Sequence, residues 1–251
     1  MIRAFAGLLL LVMLGGAAAG PRLITDLSQS RIDIEYTFAG ADLLMFGAID
    51  RTTMRPDRKL DLVVVVRSPA QPVVVRQKER VAGVWLNTRS VRFQTVPGYY
   101  SVSTTRPIGD LVDPRMAAIY EFGIDNLHFS PAETERSAEE LRTFQAGLID
   151  LRRRGGLFTE TIGGVRVVEG VLFRARARLP GDVPVGEYRV YVFLVEKGRV
   201  IAQTSVPLTV GKSGFERAVY TFAQENSVSY GLLAVAIALA AGWVAGAIMR
   251  K

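Results

Sequence analysis

Arginines at every second position are the sharpest chemical signal in the sequence. The segment "LFRARARL" places Arg174, Arg176 and Arg178 on one face of a predicted strand, because strand side chains alternate between faces. Cations about 7 Å apart along one face repel each other unless an anionic group pairs with them. That group is either an acidic stretch of the same chain, such as residues 133–140, or a partner protein or anionic ligand. The three arginines are therefore candidate interaction residues.

Aromatic residues near two predicted turns form a second candidate surface. Trp85 lies in "VAGVWLN", and Tyr99 and Tyr100 lie in "VPGYYS". Aromatic side chains at such places either fill the core or form an exposed recognition patch, since they dominate the energetics of cores and of interfaces. Both interpretations stay open, and all three residues are candidate interaction residues.

Residue types that carry most enzymatic and metal chemistry are scarce. The chain has no cysteine, which excludes thiolate nucleophiles, disulfides and thiolate metal sites, and its single histidine, His128, excludes a multi-histidine metal site. Asp33 and Glu35 share one strand face, whereas a glycosidase needs two carboxyl groups facing each other across a cleft. His128 fits local helix capping or core filling better than general-base catalysis. We predict no catalytic residue, no metal site and no cofactor.

Both ends of the chain carry membrane-targeting patterns. Residues 1–20 combine Arg3, a short apolar core and a run of small residues, which is typical of a signal peptide, with an uncleaved anchor as the alternative. Residues 230–249 are apolar and long enough to cross a bilayer, and the basic tail 250–251 favours a cytoplasmic C-terminus. We therefore predict a single-pass membrane protein with its bulk on the exported side and its C-terminus in the cytoplasm.

Two further features concern the predicted transmembrane helix. Residues 212–229 before it have an amphipathic pattern and predict a short helix at the membrane interface. Within the predicted transmembrane helix itself, small residues recur at every fourth position, at Ala234, Ala238, Gly242 and Gly246. Such a face lets transmembrane helices approach closely, although an alanine-rich helix also shows the pattern by chance. We take helix–helix association as a hypothesis.

The charge of the chain is compatible with several partner classes. Its 251 residues are 49% apolar and 22% charged, with a formal charge of +7. A basic balance fits nucleic acid, anionic lipid or an acidic partner. Export argues against nucleic acid, so we predict the lipid bilayer together with another inner-membrane protein or self-association.

Between the two ends the periodicity of the sequence is mainly that of β-strands. Residues 21–112 predict an N-terminal β-sandwich region with strand candidates at 31–38, 42–49, 60–67, 72–79, 90–96 and 99–105. Even spacing and turn signals favour an immunoglobulin-like antiparallel β-sandwich ectodomain. Residues 113–156 predict a helical insert, and residues 157–211 a C-terminal β region with a hairpin turning at Lys197-Gly198. One composite β domain and two separate ones remain alternatives.

The insert and the first hairpin give more detailed expectations. "SPAE" predicts a capping box with Ser130 as N-cap and Glu133 three residues later. Apolar residues at helical spacing follow it, at Ala138, Leu141, Phe144, Leu148 and Leu151. In "FAGADLLMFGAID", residues 38–50, Gly40 predicts a hairpin turn, and apolar residues on both faces predict a strand covered on both sides.

Four further segments carry family information: "ITDLSQSRIDIEYTFAGADLLMFGAI", "GVWLN", "STTRP" and "GFERAVYTFAQENSVSYGLLAVAIALAAGW". Together they resemble the Alph_Pro_TM group, predicted transmembrane proteins of alphaproteobacteria. The resemblance covers nearly the whole mature chain. It implies the membrane topology and no catalytic residue, and through the association of members with sulfite-exporter-like permeases it makes a permease a candidate partner.

The function predicted from the sequence is that of a membrane-anchored periplasmic interaction module. It would serve as an accessory or assembly subunit of an inner-membrane complex. The alternative is an envelope enzyme or a small-ligand sensor whose site has no recognisable motif. A deep polar cleft would favour the alternative, and an exposed apolar or arginine-rich patch would favour the interaction module.

Overall fold

The computed structural model describes residues 21–34, 38–50, 59–133, 136–212 and 215–249. The predicted signal peptide 1–20 and the predicted cytoplasmic tail 250–251 lie outside the described residues. The strands of the described chain are β1 (Arg22–Leu27), β2 (Arg31–Ile34), β3 (Gly40–Asp50), β4 (Asp61–Arg67), β5 (Ala70–Val81), β6 (Val84–Pro97), β7 (Tyr100–Thr104), β8 (Phe158–Ile162), β9 (Arg166–Val168), β10 (Leu172–Pro180), β11 (Gly186–Glu196) and β12 (Arg199–Lys212). The helices are α1 (Ile108–Leu111), α2 (Pro114–Ile119), α3 (Ala138–Arg154), α4 (Phe215–Glu225) and α5 (Ser227–Met249).

Two larger sheets and one long hairpin organise the strands. Sheet A has the order β1-β3-β10-β9, sheet B has the order β2-β12-β11-β4-β7-β8, and β5 pairs with β6 alone. The pairs β2–β12 and β7–β8 are parallel, and the other pairs are antiparallel. A mainly β protein is thus confirmed, whereas the immunoglobulin-like antiparallel sandwich is not, because sheet B is mixed.

Each sheet contains strands from both halves of the chain. β10 pairs with β3 in sheet A, and β11 pairs with β4 in sheet B. Buried side chains from the two sheets belong to one hydrophobic cluster. The N-terminal and C-terminal β regions therefore build their sheets jointly.

β4, predicted as a strand at 60–67, lies in the interior of sheet B. It lies between β11 and β7, and the five residues Leu62–Val66 are each at most 5% exposed. A strand covered on both faces has no need for polar residues, which explains the unbroken apolar run.

The hairpin predicted at Lys197-Gly198 is confirmed, whereas the hairpin predicted at Gly40 is wrong. Lys197 and Gly198 have φ angles of 47° and 79°, as in the tight turns that suit the twist of paired strands. β2 pairs with β12 in sheet B, while β3 pairs with β1 and β10 in sheet A. Gly40 instead lies against β10, where a Cβ atom would be 2.7 Å from the carbonyl oxygen of Leu179.

The long helix of the predicted insert starts later than the capping pattern predicts. Asp113 caps α2 by accepting a hydrogen bond from the Met116 amide. Ser137, not Ser130, caps α3, and it accepts from the Glu140 amide. Ser130 lies beside β6, where its amide donates to Thr95 Oγ1 and its carbonyl accepts from the Gln94 amide. The backbone groups of the predicted capping box are thus used by the hairpin.

The apolar stripe predicted for α3 is only partly buried. Phe144 and Leu148 are buried and Leu141 is half-buried, whereas Leu151 is 63% exposed and Ala138 is exposed. The helix contacts β5 and β8, so its buried side faces the hairpin and the edge of sheet B. The two ends of the stripe lie beyond that contact.

The C-terminal part is helical, as predicted. Residues Ser227–Gly246 of α5 form a 20-residue candidate membrane span with a mean hydropathy of 2.0, and none of it is buried. The Asn226 amide donates to the Phe222 carbonyl, and the Tyr230 amide donates to the Asn226 carbonyl. Helical hydrogen bonds thus continue across the junction, so α4 leads directly into α5.

Candidate interaction surfaces

The outer face of sheet A carries the predicted arginine row. In β10 the residues Phe173, Ala175, Ala177 and Leu179 are buried, and the three arginines between them are exposed. Small alanines on the buried side let β10 lie close to the core, while the arginines project outward. The alternation predicted for this strand is confirmed.

The neighbouring strand β3 leaves its outer face open, contrary to the prediction. Leu43 and Met45 are fully buried on the inner face, but Phe46 is 41% exposed and Leu44 is half-buried on the outer face. The long helix α3 contacts β5 and β8 and does not cover this face. The apolar residues of the outer face therefore lie beside the arginines as part of one surface.

Strand pairing places an arginine of β9 beside Arg174 and Arg176. Arg166 of β9 lies directly opposite Arg174, and Arg176 lies opposite Leu44 of β3. These side chains line a cleft of ≈ 410 Å³ together with Thr161, Gly163 and Gly164. We call Arg166, Arg174 and Arg176 the arginine face. Arg166 was not singled out from the sequence, because its three-residue strand carries too little periodicity to predict its partner.

The acidic stretch expected to neutralise the arginines pairs elsewhere. Glu133 and Glu140 both accept from Arg136, at 2.8 Å each. Arg178 lies 3.9 Å from Asp42, which is directly opposite it on β3. Within the described part of the chain, the arginine face has no ion pair. Glu133 and Glu140 therefore do not pair with the arginine face, and Glu135 of the same stretch lies outside the described residues.

The structure separates the three candidate aromatic residues. Tyr99 and Tyr100 are completely buried, so neither lies on an exposed recognition patch. The Tyr99 hydroxyl donates to the Arg178 carbonyl at 2.9 Å, and the Tyr100 hydroxyl donates to the Glu121 carbonyl at 2.6 Å. Burial raises the pKa of Tyr99 to about 12 and also raises the pKa of Tyr100. Both tyrosines join core strands to neighbouring segments.

Trp85, in contrast, lies at the exposed end of the long hairpin. The turn consists of Ala82 (φ 49°) and Gly83 (φ 87°), both in the left-handed region that a two-residue hairpin turn requires. Four apolar side chains surround this turn with high exposure: Val81 47%, Val84 59%, Trp85 65% and Leu86 48%. We call these four residues the hairpin tip. The sequence indicated only Trp85, because the other three have the composition of an ordinary strand.

The base of the same hairpin is firmly packed. Val75, Val91 and Phe93 are buried. The Phe93 and Phe129 rings pack edge to face, with their centroids 6.1 Å apart. Residues 84–90 of β6 are all exposed, so the outer part of the hairpin projects from the body. We call the hairpin of residues 70–97 the arm. The hairpin tip is thus the exposed apolar end of an arm whose base is packed on the core.

A cleft of ≈ 490 Å³ lies on the outer face of sheet B. Its floor includes Tyr191 and Phe193, whose rings are stacked with centroids 6.1 Å apart. Arg67 donates to Glu121 at one side of the cleft, and Arg189 lines it with no ion pair to any described residue. The cleft offers aromatic surface and one available guanidinium group.

The single histidine lies at the surface, and the described residues contain no candidate metal site. His128 is 70% exposed, with Nδ1 3.5 Å from Glu121 Oε1, so it neither fills the core nor caps a helix. Among the described residues, no three His, Asp or Glu side chains are grouped so that they could hold a metal ion.

The small-residue face of α5 remains a prediction. A Cβ atom added at Gly242 or Gly246 would have no neighbour within 4 Å. The face formed by these glycines with Ala234 and Ala238 is therefore open.

Comparison with known proteins identifies a family. Neither a curated protein nor a solved structure matches the chain. The model of the family described as "Putative transmembrane protein (Alph_Pro_TM)" matches residues 22–251. That range includes the sheets, the hairpin, the helical insert and the candidate membrane helix. The chain therefore belongs to the Alph_Pro_TM family of transmembrane proteins.

Proposed function

We propose that this protein is a non-catalytic interaction module that holds an acidic segment of a partner at its arginine face. In this proposal α5 anchors it in a bacterial inner membrane, the β body lies in the periplasm, and the partner belongs to an inner-membrane complex such as a permease. The observation that carries the proposal is the arginine face itself, where three guanidinium groups surround one cleft without an ion pair to any described residue.

The electrostatic cost of this arrangement is the main argument for an anionic partner. Arg166 and Arg174 are directly opposite each other, and like charges in that position destabilise a sheet. Guanidinium groups bind carboxylates with two parallel hydrogen bonds, so a segment with two or more carboxylates would relieve the repulsion.

Apolar contact would supply the rest of the affinity. An exposed ion pair contributes at most about 1 kcal/mol, so the pairs alone give weak, salt-sensitive binding. Phe46, 41% exposed beside the arginines, would add burial of apolar surface. The expected partner segment therefore combines acidic residues with at least one apolar side chain.

Affinity purification of the full chain from detergent tests this proposal. Arg174→Glu combined with Arg176→Glu should abolish recovery of the partner, because it replaces attraction by repulsion. The matched control is Arg115→Glu with Arg142→Glu, which makes the same change in charge at exposed positions on α2 and α3. Equal partner recovery from both double variants, or reproducible purification of the native chain alone, would contradict the proposal.

A small-ligand sensor is the second candidate, and the cleft over sheet B favours it. Stacked Tyr191 and Phe193 beside Arg189 suit an aromatic carboxylate. Benzoate or phenylacetate should then raise the unfolding temperature of the full chain, and Arg189→Ala should remove that increase. The absence of any increase with either compound at millimolar concentration would count against this candidate.

A further inference from the structure

We propose that the hairpin tip is a second membrane contact, which inserts Val81, Val84, Trp85 and Leu86 into the interface of an anionic bilayer. The bilayer is the one that α5 crosses. This inference does not rest on the arginine face, which belongs to a different sheet.

The distribution of apolar side chains favours lipid as the occupant. Val81 lies directly opposite Val84, and Arg80 lies directly opposite Trp85. Because neighbouring strand residues point to opposite faces, the valines project from one face of the hairpin and Trp85 from the other. A flat protein surface would cover one face only. A bilayer interface surrounds an inserted tip on all sides.

Charge along the arm is complementary to an anionic surface. Residues 70–97 contain five cations (Arg76, Lys78, Arg80, Arg89 and Arg92) and one carboxylate, Glu79, which gives 5 − 1 = +4 of the formal +7 of the chain. Glu79 pairs with Arg89 at 2.7 Å, so the other four cations face no carboxylate of the hairpin. Basic side chains directly behind an apolar end with a tryptophan are typical of interfacial anchors, since they reach the lipid phosphates.

The topology places the root of the arm at the membrane end of the body. Arg67, the last residue of β4, lies opposite Arg189 of β11, which lies opposite Pro207 of β12. β12 continues in the same direction to Lys212, from which the chain leads to α4 and α5. The hairpin therefore starts at the end of sheet B from which the chain leaves for the membrane.

The arm is also long enough to act as a separate contact. β5 has 12 residues, which corresponds to about 40 Å of extended strand. Its base is packed on the core, and residues 84–90 of the returning strand are exposed. A second attachment at the end of such a long hairpin would restrict rotation of the body about its anchor.

Tryptophan fluorescence in lipid vesicles tests the inference on the full chain. The chain has two tryptophans, so Trp243→Phe leaves Trp85 as the only tryptophan in the sample. In vesicles of phosphatidylglycerol and phosphatidylethanolamine, brominated acyl chains should reduce Trp85 emission at least two-fold, with an emission maximum shifted to the blue. The matched control is Trp85→Phe, in which Trp243 of the candidate span reports the quenching of a residue in the bilayer.

Two further variants identify the cause of any quenching. Val84→Asp, at an exposed position, should restore Trp85 emission without unfolding the body. Arg76→Gln, Lys78→Gln and Arg80→Gln together should weaken the quenching, as should replacement of the anionic lipid by phosphatidylcholine. Arg174→Glu with Arg176→Glu should leave it unchanged, so that failure of this inference and failure of the arginine-face proposal are distinguishable.

Two outcomes would overturn the inference. If bromolipid does not quench Trp85 and acrylamide does, the hairpin tip lies in water. If neither bromolipid nor acrylamide quenches Trp85, the hairpin tip is covered by protein, either another chain or a second copy.

Discussion

Gly47 illustrates how one position in β3 sets the packing of sheet A. An added Cβ atom would lie 2.1 Å from the Ile24 carbonyl oxygen of β1 and 2.7 Å from the Phe173 ring of β10. The missing side chain is therefore what lets the Phe173 ring occupy the core beside β3. Gly147 of α3, in contrast, is not required for packing, because a Cβ atom added there has no neighbour within 4 Å.

Gly47→Ala should lower the free energy of unfolding by about 2–3 kcal/mol, because the backbone of β1 cannot move away without breaking its pairing. Gly147→Ala is the control and should raise it by about 0.5–1 kcal/mol, since alanine favours a helix. Urea unfolding of the full chain in one detergent, followed by circular dichroism, measures both. A Gly47→Ala protein as stable as the native chain would contradict this account of sheet A.

Asp61 gives the fold a predictable dependence on pH. Its carboxylate accepts from Arg106 Nε at 3.0 Å and from Thr105 Oγ1 at 2.9 Å. The hydrogen bond from Arg106 is the main cause that lowers the pKa of Asp61 below its usual value. A lowered pKa means that this stabilisation is complete above the unfolded-state pKa and is lost as the pH falls through the folded-state pKa.

Asp61→Asn should therefore cost about 1 kcal/mol at neutral pH. The difference from the native chain should be constant from about pH 8 to pH 5 and should shrink below the usual carboxyl pKa of about 4. The comparison is Asp150→Asn, whose pair with Arg154 is exposed on α3 and should contribute almost nothing. If the difference in unfolding free energy between the native chain and Asp61→Asn grew on acidification, the pKa of Asp61 would be raised and not lowered.

The environment of single aromatic residues was hard to predict from the sequence. "VPGYYS" and "VAGVWLN" have the same local character, yet Tyr99 and Tyr100 are buried and Trp85 is exposed. The difference arises from tertiary partners: Arg178 and Glu121 supply carbonyl groups to the two tyrosines. Such partners are distant in sequence and leave no local pattern.

At the scale of elements, the turn signal at Lys197-Gly198 was reliable, whereas the capping signal at Ser130 and the pairing between distant strands were not. The β11–β12 hairpin depends on residues within a few positions of each other, and it is confirmed. The partners of β3 are β1 and β10, and the partner of β2 is β12. Because both faces of β3 have apolar residues, the sequence alone favoured a covered strand. Its outer face is instead the open surface beside the arginines.

The small-residue face of α5 predicts self-association of the membrane helix. Gly242→Leu with Gly246→Leu should abolish it, because leucine side chains keep the two backbones apart. Leu233→Ala with Val244→Ala, at exposed positions on the side of the same helix opposite the small-residue face, is the control and should preserve association. A membrane reporter assay of helix dimerisation measures both variants, and unchanged association of the glycine variant would refute the hypothesis.

At the scale of the whole molecule, the body depends on both halves of the chain. A fragment of residues 21–156 would lack β10, β11 and β12, so β3 would keep only β1 and β4 would keep only β7. We expect this fragment to lack cooperative unfolding and dispersed amide resonances. Residues 157–212 added in trans should restore both properties. Cooperative unfolding of the fragment alone would show that the N-terminal part is an independent domain.

The position of β4 has a consequence for how the chain reaches its fold. Val64 pairs with Ser103 and with Val192, which are 103 − 64 = 39 and 192 − 64 = 128 residues away. Contacts this distant in sequence form slowly, and a valine-rich segment with an unpaired edge is prone to pair with other molecules. The time between the synthesis of β4 and the docking of β11 therefore sets the partition between folding and aggregation. Substitutions that slow the docking of β11 on β4 would lower the yield of folded protein while leaving the final structure unchanged.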